Sequence, residues 1–187
     1  MKVSLDSISK IKLQQAFTLV ELVVGIVVIS IAFVLLSTML YPQAERSADT
    51  LHRVRSAELA HSILNEIWGK RYDQNTNANG GVPACGAVAK PAQGLPAGLD
   101  CTAAADLGPD AGETRSDFND VDDYAGLNIN SLMLNSTETY ADRYKNYALA
   151  VSVQYDNLPS LNTKLVTIDV TTPSGEVMTF NAIRSNY

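Results

Sequence analysis

The hydrophobic residues are distributed unevenly along the chain, and the most distinctive part is a long apolar run near the N-terminus. Residues 17–41 carry a single charged side chain, that of Glu21. About 20 apolar residues in a helix are enough to cross the hydrocarbon core of a bilayer. The pattern therefore predicts a transmembrane helix over residues 17–41. Because a charge inside a membrane span costs about 3 kcal/mol, we expect the Glu21 carboxylate to have a function.

Residues 42–69 continue with an amphipathic pattern. Apolar side chains recur every three or four residues, which is typical of a helix with one buried face. Proline removes a backbone donor, so Pro42 is predicted to break or kink the helix where this part begins, and Gly69 to end it. The predicted apolar stripe consists of Leu51, Val54, Ala57, Ala60, Leu64 and Ile67.

The C-terminal third alternates between apolar and polar residues, as half-buried strands do. Three strands are predicted, at residues 147–155, 164–171 and 177–183, with a tight hairpin at residues 173–175. A helix packed on an antiparallel sheet is a stable two-layer arrangement. The predicted fold class is therefore α+β, with a long N-terminal helix packed on a small antiparallel sheet.

A short motif marks the boundary between the polar N-terminal segment and the apolar run. Ala16 is followed by F-T-L-V-E at residues 17–21. This motif resembles the processing site of the type IV pilins and their pseudopilin relatives, which usually have glycine where this chain has Ala16. Within that family the chain is most similar to the minor pilins of the mannose-sensitive haemagglutinin pilus, in particular the D-type component, mainly through the acidic residues 116–126.

The resemblance implies how the N-terminus is processed. Residues 1–16 would be a prepilin leader, cleaved between Ala16 and Phe17 by a prepilin peptidase that also methylates the new amino group of Phe17. The Glu21 carboxylate would then pair with this amine on a neighbouring subunit. Charges in a low-dielectric bundle are retained when they are paired.

The resemblance also implies a location and a set of partners. Lysines in the leader hold the N-terminus in the cytoplasm by the positive-inside rule, so residues 70–187 become a periplasmic or extracellular domain with the type IV pilin fold. The protein would span the inner membrane once before assembly and lie in the pilus fibre afterwards. Its partners would be other pilins, bound through the N-terminal helix, together with the peptidase and the pilus assembly platform.

Residues 73–116 are rich in Gly, Ala, Pro, Asn and Asp, which predicts a long loop. The loop contains Cys85 and Cys101, the two cysteines of the chain. In a translocated domain they are expected to form a disulfide, because the bacterial periplasm is oxidising. The alternative is a redox or metal site, but there is no C-x-x-C spacing and no histidine nearby.

An acidic segment follows at residues 116–126. Its oxygen-bearing side chains suit Ca²⁺, which takes six to eight oxygen ligands, although the spacing differs from that of an EF-hand. The alternative is that these side chains cap turns by accepting backbone hydrogen bonds. The candidate calcium ligands are Asp117, Asn119, Asp120, Asp122 and Asp123.

Composition narrows the range of functions. A formal net charge of −6 and the lack of a basic patch argue against nucleic acid as a partner. No phosphate loop, H-E-x-x-H or G-x-S-x-G motif is present, so we expect no enzymatic activity. Three hypotheses remain: a minor pilin that supports surface attachment, a minor pseudopilin of a type II secretion system, and an uncleaved, membrane-tethered binding module that uses residues 73–126.

Overall fold

The computed structural model describes residues 18–79 and 81–186, with side chains except at residues 41, 42, 44 and 45. The predicted cleavage site, Ala16–Phe17, lies outside the described residues. The chain forms two compact units, one ending at Ser47 and the other beginning at Ala48. Both include part of helix α1, Leu19–Trp68.

In the first unit, helix α1 is apolar on all sides. Its segment Leu19–Leu40, 22 residues long, is long and apolar enough to cross a membrane. Every side chain of this segment is exposed, and Gly25 is the one residue of intermediate exposure. The helix continues through residue 42, so Pro42 does not end it. A kink at Pro42 stays a prediction.

The second unit contains the predicted antiparallel sheet. Its strands are β1, Ala148–Asn157, β2, Ser160–Thr171, and β3, Val177–Ser185. They pair in the order β1-β2-β3, with Ile168 of β2 opposite Val151 and Phe180. The three predicted strands are confirmed. The turn between β1 and β2 is shorter than the predicted strand ends at residues 155 and 164 imply, because Asn157 already pairs with Ser160.

One face of the C-terminal part of α1 packs into the core of this unit. Its buried apolar residues are Leu59, Ala60, Ile63, Leu64 and Ile67. The predicted stripe is therefore wrong at its N-terminal end, where Leu51 and Val54 are 64% and 62% exposed. The helical periodicity is real, but the core begins at Ser56, which is fully buried and follows both residues in the chain.

The sheet supplies the other side of the core. Inward residues alternate along β1 and β2, as a period-2 pattern requires. Phe180 and Ala182 of β3 pack against the same cluster. The inward apolar residues of the first two strands are Leu149, Val151, Val153, Val166, Ile168 and Val170.

The connection between α1 and β1 is long and mostly irregular. It contains two short 3-10 helices, Pro91–Gln93 and Asp122–Tyr124, and one turn of α-helix, α2, Tyr140–Arg143. Thr139 caps α2, since its hydroxyl accepts the backbone N–H of Asp142 while the Asp142 carboxylate accepts the N–H of Thr139. Side-chain hydrogen bonds of this kind replace the regular backbone ladder in such a segment.

The predicted disulfide between Cys85 and Cys101 is present. The Asn186 side-chain amide donates to the Cys85 carbonyl at 2.9 Å, which fastens the residue after β3 to the disulfide loop. The loop is tightly closed at Gly98, where a Cβ atom would lie 1.9 Å from the Ala84 carbonyl oxygen. Any other residue at position 98 would therefore displace the loop backbone.

Candidate functional site

The first candidate site is the N-terminal turn of α1. The Glu21 backbone N–H donates to the Thr18 hydroxyl at 3.3 Å, so Thr18 caps the helix start. The Glu21 side chain is exposed, and its carboxylate accepts no hydrogen bond from any residue that the structure describes. A carboxylate in the first turn also interacts favourably with the helix dipole.

The other polar side chains of the apolar segment are satisfied within the helix. The Ser30 hydroxyl donates to the Ile26 carbonyl and the Ser37 hydroxyl to the Phe33 carbonyl, both at 2.8 Å. Thr38 donates to the Leu35 carbonyl at 2.8 Å. These bonds allow the helix to enter an apolar environment without unpaired hydroxyl groups. Glu21 is then the polar side chain of Leu19–Leu40 that needs a partner from elsewhere.

The acidic segment, the second candidate site, uses its oxygen atoms mainly in turns. Asp117 accepts the N–H and the hydroxyl of Thr114, at 3.0 and 2.6 Å. Asp123 accepts the N–H groups of Asn119 and Asp120, at 2.7 and 3.0 Å. These are the contacts expected of turn-capping carboxylates.

The same segment does not gather its predicted calcium ligands into one cluster. Among the described residues, the one group of three potential metal-binding side chains consists of Asp73, Cys85 and Cys101, and its sulfur atoms are bonded to each other. Asn119 is hydrogen-bonded to Arg71 and Glu113. Calcium binding stays a prediction, and a chelator titration that leaves the melting temperature unchanged would remove it.

Asp122 instead belongs to a buried ionic cluster around Lys164. The Lys164 ammonium donates to an Asp73 carboxylate oxygen at 2.9 Å, to the Tyr72 carbonyl at 2.9 Å, and to the Asp122 carboxylate. The side chains of Lys164 and Asp73 are 0% exposed and that of Asp122 is 3% exposed. Their burial makes each charge depend on its partners, because an unpaired charge in the interior costs several kcal/mol.

Aromatic rings enclose this cluster. The Lys164 ammonium lies 4.7 Å from the ring centroid of Tyr72 and 5.6 Å from that of Tyr155, within the range of cation–π attraction. Burial raises the pKa of both phenols, which keeps them neutral at physiological pH. The two hydroxyls donate to the carbonyls of Leu161 and Thr102.

Asp120 lies beside this cluster and is 1% exposed. Its carboxylate oxygen accepts the N–H groups of Asp122 and Asp123, at 3.0 and 3.3 Å. Burial, followed by the nearby charges of Asp122 and Asp123, raises the pKa of Asp120 to about 8. Since burial disfavours the ionised form, this carboxyl holds its proton at neutral pH.

A second ion pair, with a buried arginine and a partly buried glutamate, joins the loop to α1. The Arg115 guanidinium donates to the Glu66 carboxylate, and to the Tyr140 hydroxyl at 3.3 Å. Its central carbon lies 5.2 Å from the ring centroid of Phe118 and 5.1 Å from that of Tyr124. The acidic segment is therefore held against the helix by one cation and two rings.

Both ionic clusters were missed by the sequence analysis. A signal for Lys164 exists, because it shares the strand alternation of Val166, Ile168 and Val170 and therefore lies on the inward face of β2. A lysine at an inward position indicates a buried carboxylate partner. No comparable signal marks Arg115, which lies in a segment without periodicity.

Residues 11–37 match a family model described as the prokaryotic N-terminal methylation motif, which is type IV pilin-like. The matched residues include Ala16, Phe17 and Glu21. No curated protein and no solved structure shows a significant match to the chain. The chain thus carries a pilin-like methylation motif on an apolar helix, a combination that indicates membrane anchoring. The predicted likeness to the D-type minor pilins has no support in these comparisons.

Proposed function

We propose that this chain is a minor pilin, a structural subunit that is built into a type IV pilus and supports surface attachment. The observation that carries the proposal is Glu21, an exposed carboxylate that lies inside the methylation motif and at the start of an apolar helix. The pilin-like methylation motif supports a structural subunit rather than an enzyme. The α+β domain with its three-stranded sheet and disulfide fits the pilin fold.

Assembly follows from the surface of the helix. A helix that is apolar on all sides is stable only in lipid or among other apolar helices. Gly25, Ser30, Ala32 and Ser37 are small residues that allow neighbouring helices to approach closely. The exposed side chains of Leu51 and Val54 add an apolar surface that lies outside the predicted membrane span.

Processing supplies the partner that Glu21 lacks. Cleavage between Ala16 and Phe17 creates an α-amino group, which is cationic at neutral pH. In a bundle of such helices, the amine of one subunit lies at the level of Glu21 on another and forms an ion pair with it. The N-terminus faces the cytoplasm before assembly, and the domain faces the periplasm.

The experiment that tests the proposal is an intact-mass measurement of the protein extracted from the membranes of its native host. We expect a chain that begins at Phe17 and carries one additional methyl group. A chain that still begins at Met1 would overturn the proposal and favour an uncleaved, membrane-tethered binding module.

A second measurement separates a pilin from a pseudopilin of a type II secretion system, which would be processed in the same way. Deletion of the gene is expected to reduce surface fibres and attachment while leaving secreted proteins unchanged. Loss of secretion with normal fibres would assign the chain to a secretion system instead.

A further inference from the structure

The Lys164 amine is a nucleophile held against a carboxyl group in the interior of the domain. Its ammonium nitrogen contacts the Asp122 carboxylate directly, and neither side chain is exposed by more than 3%. The rings of Tyr72 and Tyr155 lie next to the same nitrogen. An amine and a carboxyl group held in contact and shielded from solvent have the proximity that favours amide formation.

The two carboxylates that contact Lys164 differ in their other partners. Asp73 accepts three further hydrogen bonds, from the N–H of Asn75 at 3.0 Å and from the N–H and hydroxyl of Thr102 at 3.1 and 3.2 Å. Hydrogen bonds of this kind stabilise a carboxylate against nucleophilic attack, so Asp73 is the poorer electrophile and acts through its contact with the Lys164 ammonium. Asp122 accepts no such bonds from backbone N–H or hydroxyl groups of the described residues, and its side chain is hydrogen-bonded to that of Asp120. Its carbon is therefore the better target.

We propose that Lys164 and Asp122 form an intramolecular isopeptide bond, with Asp73 as the base. The Lys164 ammonium passes one proton to Asp73, and the resulting amine attacks the Asp122 carboxyl carbon. A C–N bond forms and a C–O bond breaks. The nitrogen loses two protons, and both are transferred to the departing oxygen, one of them through Asp73. The products are therefore an amide and one water molecule. No oxidant or other reactant is required.

The surroundings favour the product over the ion pair. Two of the three buried charges are replaced by a neutral amide, which removes their desolvation cost, while Asp73 keeps the hydrogen bonds that it accepts from Asn75 and Thr102. The new amide N–H still donates to Asp73, whose remaining hydrogen bonds are unchanged. Burial also keeps water away from the amide, which slows the reverse hydrolysis. The bond would join the 3-10 helix at Asp122–Tyr124 to the central strand β2.

The test uses the full chain, purified from detergent-solubilised membranes and analysed by intact mass and by tryptic digestion. We expect a mass lower by one water molecule than that calculated for the disulfide-bonded chain with the N-terminus that it carries. We also expect a branched peptide that joins residues 116–143 to residues 146–184, because trypsin does not cleave after an acylated lysine. An unmodified mass would overturn the proposal.

The position of the branch checks the assignment. A branch that involves the peptide with Asp73 would overturn the choice of Asp122. A water loss confined to residues 116–143 would indicate a cyclic imide and would also overturn it. The variant Asp122→Ala keeps Asp73 as the partner of Lys164 and is expected to lack the branch, whereas Asp117→Ala, an exposed change in the same peptide, is expected to retain it. If Asp122→Ala fails to fold, the wild-type spectrum alone decides.

Discussion

Arg115 and Glu66 form an ion pair across 49 residues of sequence, with side chains that are only 8% and 18% exposed. The pair joins an irregular loop to the buried face of α1. The Tyr124 hydroxyl lies 3.5 Å from the same Glu66 carboxylate, and burial raises the pKa of this phenol to about 12. The loop that carries the acidic segment is thus fixed to the helix by a charge rather than by a regular backbone ladder.

Replacement of Glu66 by alanine is expected to destabilise the domain by about 3–5 kcal/mol, because it leaves the Arg115 cation buried without a counter-charge. Thermal denaturation of the detergent-solubilised chain measures the effect. The control is Glu58→Ala, since Glu58 lies on the exposed face of the same helix and should change stability by less than about 1 kcal/mol. Equal losses in the two variants would contradict the importance of the pair.

Replacement of Glu21 by glutamine is expected to abolish incorporation into fibres while leaving the level of the protein in the membrane unchanged. Glutamine keeps the size of the side chain but cannot pair with the α-amino cation of a neighbouring subunit. Sheared fibres can be probed by immunoblotting against total membrane protein. Ser37→Ala is the matched control, because the Ser37 hydroxyl bonds only to its own helix among the described residues. Normal incorporation of the Glu21 variant would rule out the proposed pairing.

Removal of the disulfide by the double change Cys85→Ser and Cys101→Ser is expected to lower the free energy of unfolding by about 3 kcal/mol, the value for a loop of this size in the chain-entropy model. Denaturant titration measures the loss. A reductant should lower the stability of the wild-type chain and leave that of the variant unchanged. If the reductant lowered the stability of both proteins equally, the loss in the wild type would not come from the disulfide.

The stability of the domain is expected to fall as the pH rises from about 4 to about 8, through the raised pKa of Asp120. In this window the folded state holds a proton that the unfolded state has lost, so each pH unit costs up to about 1.4 kcal/mol. Below the window both states are protonated, and this contribution to stability is fully present. Burial, the largest cause of the shift, persists whether or not Asp122 is linked to Lys164.

The variant Asp120→Asn isolates this effect. Asparagine keeps an oxygen that can accept the N–H groups of Asp122 and Asp123 but does not titrate. Melting temperatures of the two proteins are measured from about pH 5 to about pH 8. That of the wild type is expected to fall relative to that of the variant as the pH rises, because only the wild type loses this contribution. Curves that remain parallel would show that Asp120 does not titrate in this window.

The sequence predicted those parts of the fold that depend on local periodicity. Alternation along β1, β2 and β3 is a property of neighbouring residues, and it located all three strands. The helical stripe gave the correct periodicity but included Leu51 and Val54, because spacing does not reveal where along a helix the core begins. The predicted strand ends on either side of the β1–β2 turn were also misplaced, since the pairing of Asn157 with Ser160 depends on the partner strand.

The buried ionic clusters depend on the path of an irregular loop and could not be predicted in the same way. Alternation places Lys164 inward, yet nothing local identifies Asp73 and Asp122 as its partners. Arg115 meets Glu66 only after the loop has folded back on α1. Of the two interpretations of the acidic segment, turn capping describes Asp117 and Asp123, which accept backbone N–H groups. Asp122 instead contacts a lysine of β2.

The order in which the ribosome makes these residues sets the timing of folding. Lys164 is synthesised 91 residues after Asp73 and 42 after Asp122. Until β2 has been synthesised, both carboxylates lack the cation that permits their burial. They are therefore expected to remain hydrated, and the core around them cannot close. Closure of the domain is therefore expected in one late event, after β2 has been synthesised.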